Sequence, residues 1–153
     1  MKPFFLLIIV FLISAGIGKV STGNWNLLIS GNLAMCLMLC FTAFGHFKFP
    51  SGMAMMVPGF IPFKAGIVLL TGIAEILLGI MLLFPGLRQV AGIILIILFV
   101  FMLPANIHAA LNHLDYTNGS KTGPGLNYLW FRVPLQMLFI AWVYFFSVRP
   151  LFS

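Results

Sequence analysis

The stretch that decides the fold reads AGIVLLTGIAEILLGIMLLFPGL, residues 65–87. Apart from Glu75 it carries no charge, and it matches the roughly 20 apolar residues a helix needs to cross the hydrocarbon core of a bilayer. Glu75 is one of only two acidic residues in the 153-residue chain. A carboxylate in hydrocarbon is costly unless it is protonated or paired. An ionisable residue in a spanning helix therefore faces a bundle interior or a wet cavity. Glu75 is the first functional candidate, and the rest of the chain is read around it.

Outward from that stretch, 62% of residues are hydrophobic and 7% charged, with a mean hydropathy of +1.16. Soluble domains run at roughly 45–50% apolar and about 25% charged. Four further apolar runs, at 3–17, 26–45, 90–110 and 128–148, join residues 65–84 as candidate spans. The expected fold is all-α, an integral membrane helical bundle whose short connections leave no room for a soluble catalytic domain. Eight Lys and Arg face two acids, but they are scattered at the ends of the runs. They read as topology signals, not as a nucleic-acid patch.

The first run follows Lys2 and ends in Ser14, Ala15, Gly16 and Gly18, a pattern shared by anchor helices and cleaved signal peptides; the uncleaved anchor is the expected reading. Five spans put Lys2, Lys48, Lys64, Lys121 and Arg132 on one side and Lys19, Arg88 and Arg149 on the other. That bias makes the first side cytoplasmic. Trp25, Tyr128, Trp130, Trp142 and Tyr144 fall toward span ends, as interfacial aromatics do. The connection 48–64 holds Met53, Met55, Met56, Val57, Phe60 and Ile61 among Pro50, Pro58 and Pro62, too short and Pro-broken to span. It should lie along the interface or fold over the bundle mouth, either packing on lipid or forming a pliable Met lid above a ligand.

Polar residues gather on the Lys48 and Lys121 side: His46 ends the second run, Asn106 and His108 close the fourth, and Arg132 and Gln136 open the fifth. Glu75 lies roughly 16 Å along its helix from Lys64, near the midplane. Gly72, Glu75 and Gly79 share one helix face, where small residues admit a neighbouring backbone. Arg132 and Gln136, four apart, offer Glu75 a cation and an amide. Pro104 should kink its helix and free the Val100 carbonyl beside Asn106, while Pro134 disturbs the helix next to Arg132. A ligand pocket and simple helix glue both fit this set.

His108 and His113 are five apart and lack the spacing of a helical metal pair. His108, Asn112 and Asp115 share a face at i, i+4 and i+7, which reads as a hydrated helix end in place of a metal site. His46 is the better candidate, a group able to change charge near neutral pH at a cavity rim. Cys36 and Cys40, four apart, lack Cys-x-x-Cys spacing and read as small hydrophobes.

Gly45-His46-Phe47, Gly72-Ile73-Ala74-Glu75, Pro85 followed by Arg88, Pro104-Ala105-Asn106-Ile107 and Arg132-Val133-Pro134-Leu135-Gln136 together resemble the DoxX-like family of small bacterial membrane proteins. The resemblance implies a four-helix core over 26–148, preceded by an amino-terminal anchor helix and connection at 1–25 and followed by a short tail at 149–153. It also implies a multi-pass protein of the bacterial inner membrane, some relatives being associated with thiosulfate oxidation feeding quinone.

The leading expectation is a protein that holds a hydrophobic small molecule, a quinone or a lipid, through Glu75, Asn106, Arg132, Gln136 and His46, with no catalytic activity of its own and a place in a membrane redox system. The alternative is an assembly subunit whose partner is another membrane protein or a second copy. A third reading, a proton-coupled transporter using Glu75, lacks the internal repeat such folds usually show.

Overall fold

The computed structural model describes residues 2–115, 117–123 and 125–149. The expected tail beyond Arg149 and the Tyr128 side chain lie outside the described residues. Six helices follow in order: α1 (Lys2–Thr22), α2 (Leu27–Lys48), α3 (Pro50–Met56), α4 (Lys64–Met81), α5 (Pro85–Leu111) and α6 (Leu126–Val143), the last running into a π-helical turn, Tyr144–Val148. All but α3 are long and apolar enough to cross a membrane, α6 together with its π turn. The described chain is thus all-helical in the way a multi-pass membrane protein requires.

The breaks follow local chemistry. Between α1 and α2 the chain reverses through Gly23 and Asn26, both at positive φ (75° and 43°), and Lys19 Nζ donates to the Gly23 carbonyl at 2.9 Å. Pro85 stands at the first position of α5, where a missing N–H is no loss. Arg88 Nε then reaches back to the Leu82 carbonyl at 2.9 Å, so a residue read as a topology signal also caps the preceding helix.

Helix α2 packs against α1 and α4, α4 and α5 form a hairpin, and α5 packs against α6 and the π turn. Met35, Met38, Leu39, Leu82, Leu95 and Val143 are almost fully buried between them. Leu7 of α1 is 0% exposed and belongs to the same cluster, and Phe11 meets Trp142 edge-on at 5.0 Å. Leu70, Leu77, Val100 and Phe101 are exposed outward, an apolar surface suited to lipid.

Gly72, Glu75 and Gly79 are all buried on the face α4 turns to α2. A Cβ on Gly72 would stand 2.8 Å from the Cβ of His46, and one on Gly79 would stand 3.4 Å from the Cα of Cys36. Glycine at these positions sets how closely α2 and α4 approach.

The structure adds detail to two segments and corrects one expectation. The connection 48–64 contains a helix, because Pro50 occupies the first position of α3, where proline is tolerated. Its Gly52, Met56, Val57 and Pro58 are buried over the bundle while Phe60 and Phe63 project outward. The fifth span is α-helical only to Val143 and finishes as a π turn. Finally, α5 ends at Leu111, so Asp115 does not share a helix face with His108 and Asn112; it lies in a turn paired with Ser120.

Candidate functional site

Helix α2 carries Thr42 and His46 toward α4. Glu75, 2% exposed, accepts a hydrogen bond at Oε2 from the Thr42 hydroxyl at 2.9 Å, and its Oε1 lies 3.7 Å from His46 Nε2. The other imidazole nitrogen, Nδ1, is 2.8 Å from the Val68 carbonyl. Thr71 closes this corner, its hydroxyl donating to the same carbonyl at 2.9 Å. His46 is therefore not at a solvated rim: it is 6% exposed and clamped between α4 backbone and Glu75.

These contacts fix where protons can sit. A carbonyl only accepts, so Nδ1 of His46 carries a hydrogen, and Nε2 is left facing Glu75. Nε2 can be bare beside a carboxylic acid or protonated beside a carboxylate, and at 3.7 Å the two groups face each other without a hydrogen bond. The Thr42 hydroxyl serves either form of Glu75, because its oxygen is also 3.0 Å from the Leu39 carbonyl. It donates to a carboxylate, or accepts from the acid while donating to Leu39.

Across the bundle, Asn106 of α5 donates through Nδ2 to Gln136 Oε1 of α6 at 3.1 Å, and Gln136 Nε2 donates to the Phe99 carbonyl. Both side chains are buried. The acceptor is not the Val100 carbonyl expected from Pro104. Val100 and Pro104 are exposed on the outer face of α5, so the helix interruption lies away from the amides. Pro134 is exposed likewise on α6.

Arg132 completes the set from α6, and its charge acts on both His46 and Glu75. Glu75, His46, Asn106, Arg132 and Gln136 line a single cavity of about 630 Å³. Its apolar wall comes from Met38, Phe41, Phe99, Met102, Leu135 and Phe139. At the outer end stand Lys2, Lys48, Met53 of α3 and Thr117 of the α5–α6 connection.

Those two connections cover the same end of the bundle. His108 Nδ1 donates to the Met56 carbonyl at 3.1 Å, and Gly119 lies against the sulfur of Met55. In that connection, Asp115 accepts from the Thr117 N–H at 2.9 Å, from the Thr117 hydroxyl and from Asn118 Nδ2. These bonds hold its carboxyl below the usual carboxylate range.

Sequence reasoning missed Thr42, Thr71, Lys2 and Lys48 as cavity or site residues. It also missed a second buried polar cluster around Asn32 near the other end of α2. Asn32 Nδ2 donates to the carbonyls of Leu28 and Phe146 at 2.8 and 2.9 Å, and Ser147 Oγ donates to Asn32 Oδ1 at 2.7 Å. A signal existed: Asn32 is a buried amide about four turns from His46, on the same inward face of α2.

No curated protein and no solved structure matches the chain. A family model described as a domain of unknown function (DUF8561) matches residues 35–147, a segment that holds all five expected site residues and leaves α1 and Asn32 outside. The chain belongs to this family, DUF8561.

Proposed function

We propose that this protein holds a hydrophobic small molecule, a quinone or a lipid, in the cavity between α2, α4, α5 and α6, without catalytic activity of its own. The observation that carries this reading is the cavity itself. Its volume of about 630 Å³ falls inside the range of small-molecule sites, roughly 300–1,000 Å³, and its apolar wall surrounds a few convergent polar groups. In this reading the four helices are a DoxX-like core, α1 is an added amino-terminal helix, and the protein serves a redox system of the bacterial inner membrane. The imidazole of His46 and the carboxyl of Glu75, side by side on the cavity lining, suit a quinone head, whose carbonyl and hydroxyl forms need a donor or an acceptor in turn.

The test is mass spectrometry of the gently solubilised protein, with Asn106→Asp and Gln136→Glu beside it. A quinone or lipid should copurify in stoichiometric amount, and each variant should lose it even from the fraction that stays folded, although removing a buried donor costs about 1–3 kcal/mol of stability. If nothing copurifies, or if stability falls in proportion to ligand loss, the cluster is structural. One observation favours that second reading: Asn106 and Gln136 bond to each other across α5 and α6, as helix glue would. The protein would then be an assembly subunit, bound to another membrane protein or to a second copy.

A further inference from the structure

We infer that the cavity takes a single-chain amphiphile with an anionic head, the head lying among Lys48, Arg132 and Lys2 and the chain running inward past Phe99, Phe139 and Met38. This rests on the cavity being a ligand site and specifies the chemistry of its ligand.

Three features carry it. The first is charge. Three cations, Lys2, Lys48 and Arg132, line the cavity with one carboxyl group, Glu75, so an excess of positive charge remains even with Arg132 acting on Glu75. The lining is cationic in excess, and a low-dielectric recess with that excess favours an anion. The second is depth. Lys2 opens α1, Lys48 ends α2 and Arg132 lies in the second turn of α6, so all three stand at one end of the bundle. Met38 is roughly 15 Å deeper along α2, and Phe139 roughly 10 Å deeper along α6. Polarity falls along that path from cations, through His46 and the amides, to an apolar floor, the same gradient a lipid shows from head to tail. The third is access. Phe41 and Phe44 line the cavity yet are 45% and 61% exposed on α2, so its side edge faces the surroundings of the bundle within the span. A ligand taken from the bilayer can enter there. A volume of about 630 Å³ suits one acyl chain with its head better than a two-chain phospholipid.

Binding of labelled oleate, 1-oleoyl lysophosphatidic acid and oleyl alcohol to the full chain in a non-ionic detergent tests this directly. The three probes share a chain, and only the first two carry an anionic head. Both anions should bind about tenfold or more tightly than the alcohol, and the preference should shrink in high salt. Arg132→Gln should reduce the preference about tenfold. Lys48→Gln should reduce it severalfold; Lys48 is exposed, with its ammonium near the Phe44 and Phe49 rings, so this variant should fold even if the Arg132 change does not. Equal binding of all three probes would overturn the anionic head and leave the hydrophobic-ligand reading standing. Copurification of a quinone or a two-chain lipid with no binding of any probe would also overturn the inference alone. No binding and no copurified molecule would remove both.

Discussion

The two buried polar clusters on α2 use similar groups for opposite ends. Around Asn32, the amide, Ser147 and the Phe146 carbonyl satisfy one another, and Ser14 donates to Ser30 at 3.1 Å alongside. The space is filled: a Cβ on Gly31 would overlap the Phe146 ring, and one on Gly92 would come within 2.9 Å of Ser147 Cβ. Around Glu75 the polar atoms are bonded as well, but they border an open cavity with cations at its mouth. Hydrogen-bond satisfaction therefore does not separate glue from site. Adjacent space and unbalanced charge do.

The largest expected effect breaks the closed cluster. Asn32→Leu keeps the approximate volume but removes the amide that bonds the Phe146 carbonyl and the Ser147 hydroxyl. Losing a buried hydrogen-bond partner costs about 1–3 kcal/mol in water-soluble proteins, and less where membrane neighbours supply substitutes. The variant should lose roughly 2 kcal/mol of stability in detergent unfolding while the folded fraction keeps its bound molecule. Ligand loss without destabilisation would make the Asn32 end part of the site and end the contrast.

A second, smaller effect sharpens the open cluster. Glu75→Gln and Arg132→Gln should each destabilise the solubilised protein, since each leaves a buried or half-buried charge with less compensation. The double variant should be less harmful than the sum, with a coupling of roughly 0.5–2 kcal/mol. The same cycle on Glu75 and Asn32 should be additive, because the two sit in separate networks. Additivity in both cycles would place Arg132 outside the Glu75 network.

How much of this was legible follows from what a sequence signals. The spans were legible because long uncharged runs have few other uses. Glu75 was legible because charge in hydrocarbon is rare. Asn32 passed unnoticed because a neutral amide in a span is a weaker signal, and its partner is a backbone carbonyl in a π turn that no side-chain pattern announces. The clamp on His46 was hidden in the same way, its partner being the Val68 carbonyl. Lys2 and Lys48 were visible but interpreted only as orientation signals, although the same end-of-helix placement puts them at the cavity mouth. The helix α3 was obscured by the three prolines of its connection, the first of which starts it.

The smallest expected effect separates the two ends of the bundle by acid. The turn between α1 and α2 is held by Lys19 on the Gly23 carbonyl and by Asn26 on the Thr22 hydroxyl, with no carboxylate side chain in it. The turn beside the cavity mouth is held by Asp115, which accepts from Thr117 and Asn118. Its carboxyl titrates below its ordinary value in the folded chain. The sign follows: the contribution is fully present above the unfolded carboxylate pKa, about 4, and fades as pH falls through the lower folded value. Acid below pH ~4 should therefore raise the labelling rate of a single cysteine at Lys121, on a background lacking Cys36 and Cys40, and leave one at Asn24 unchanged. Asp115→Asn should show the faster Lys121 labelling already at neutral pH, with no further response to acid. The shift should be slight, since an exposed turn contributes little to global stability. Equal acid responses at both positions would mean that the bundle loosens as a whole, with Asp115 no more than a bystander at the mouth.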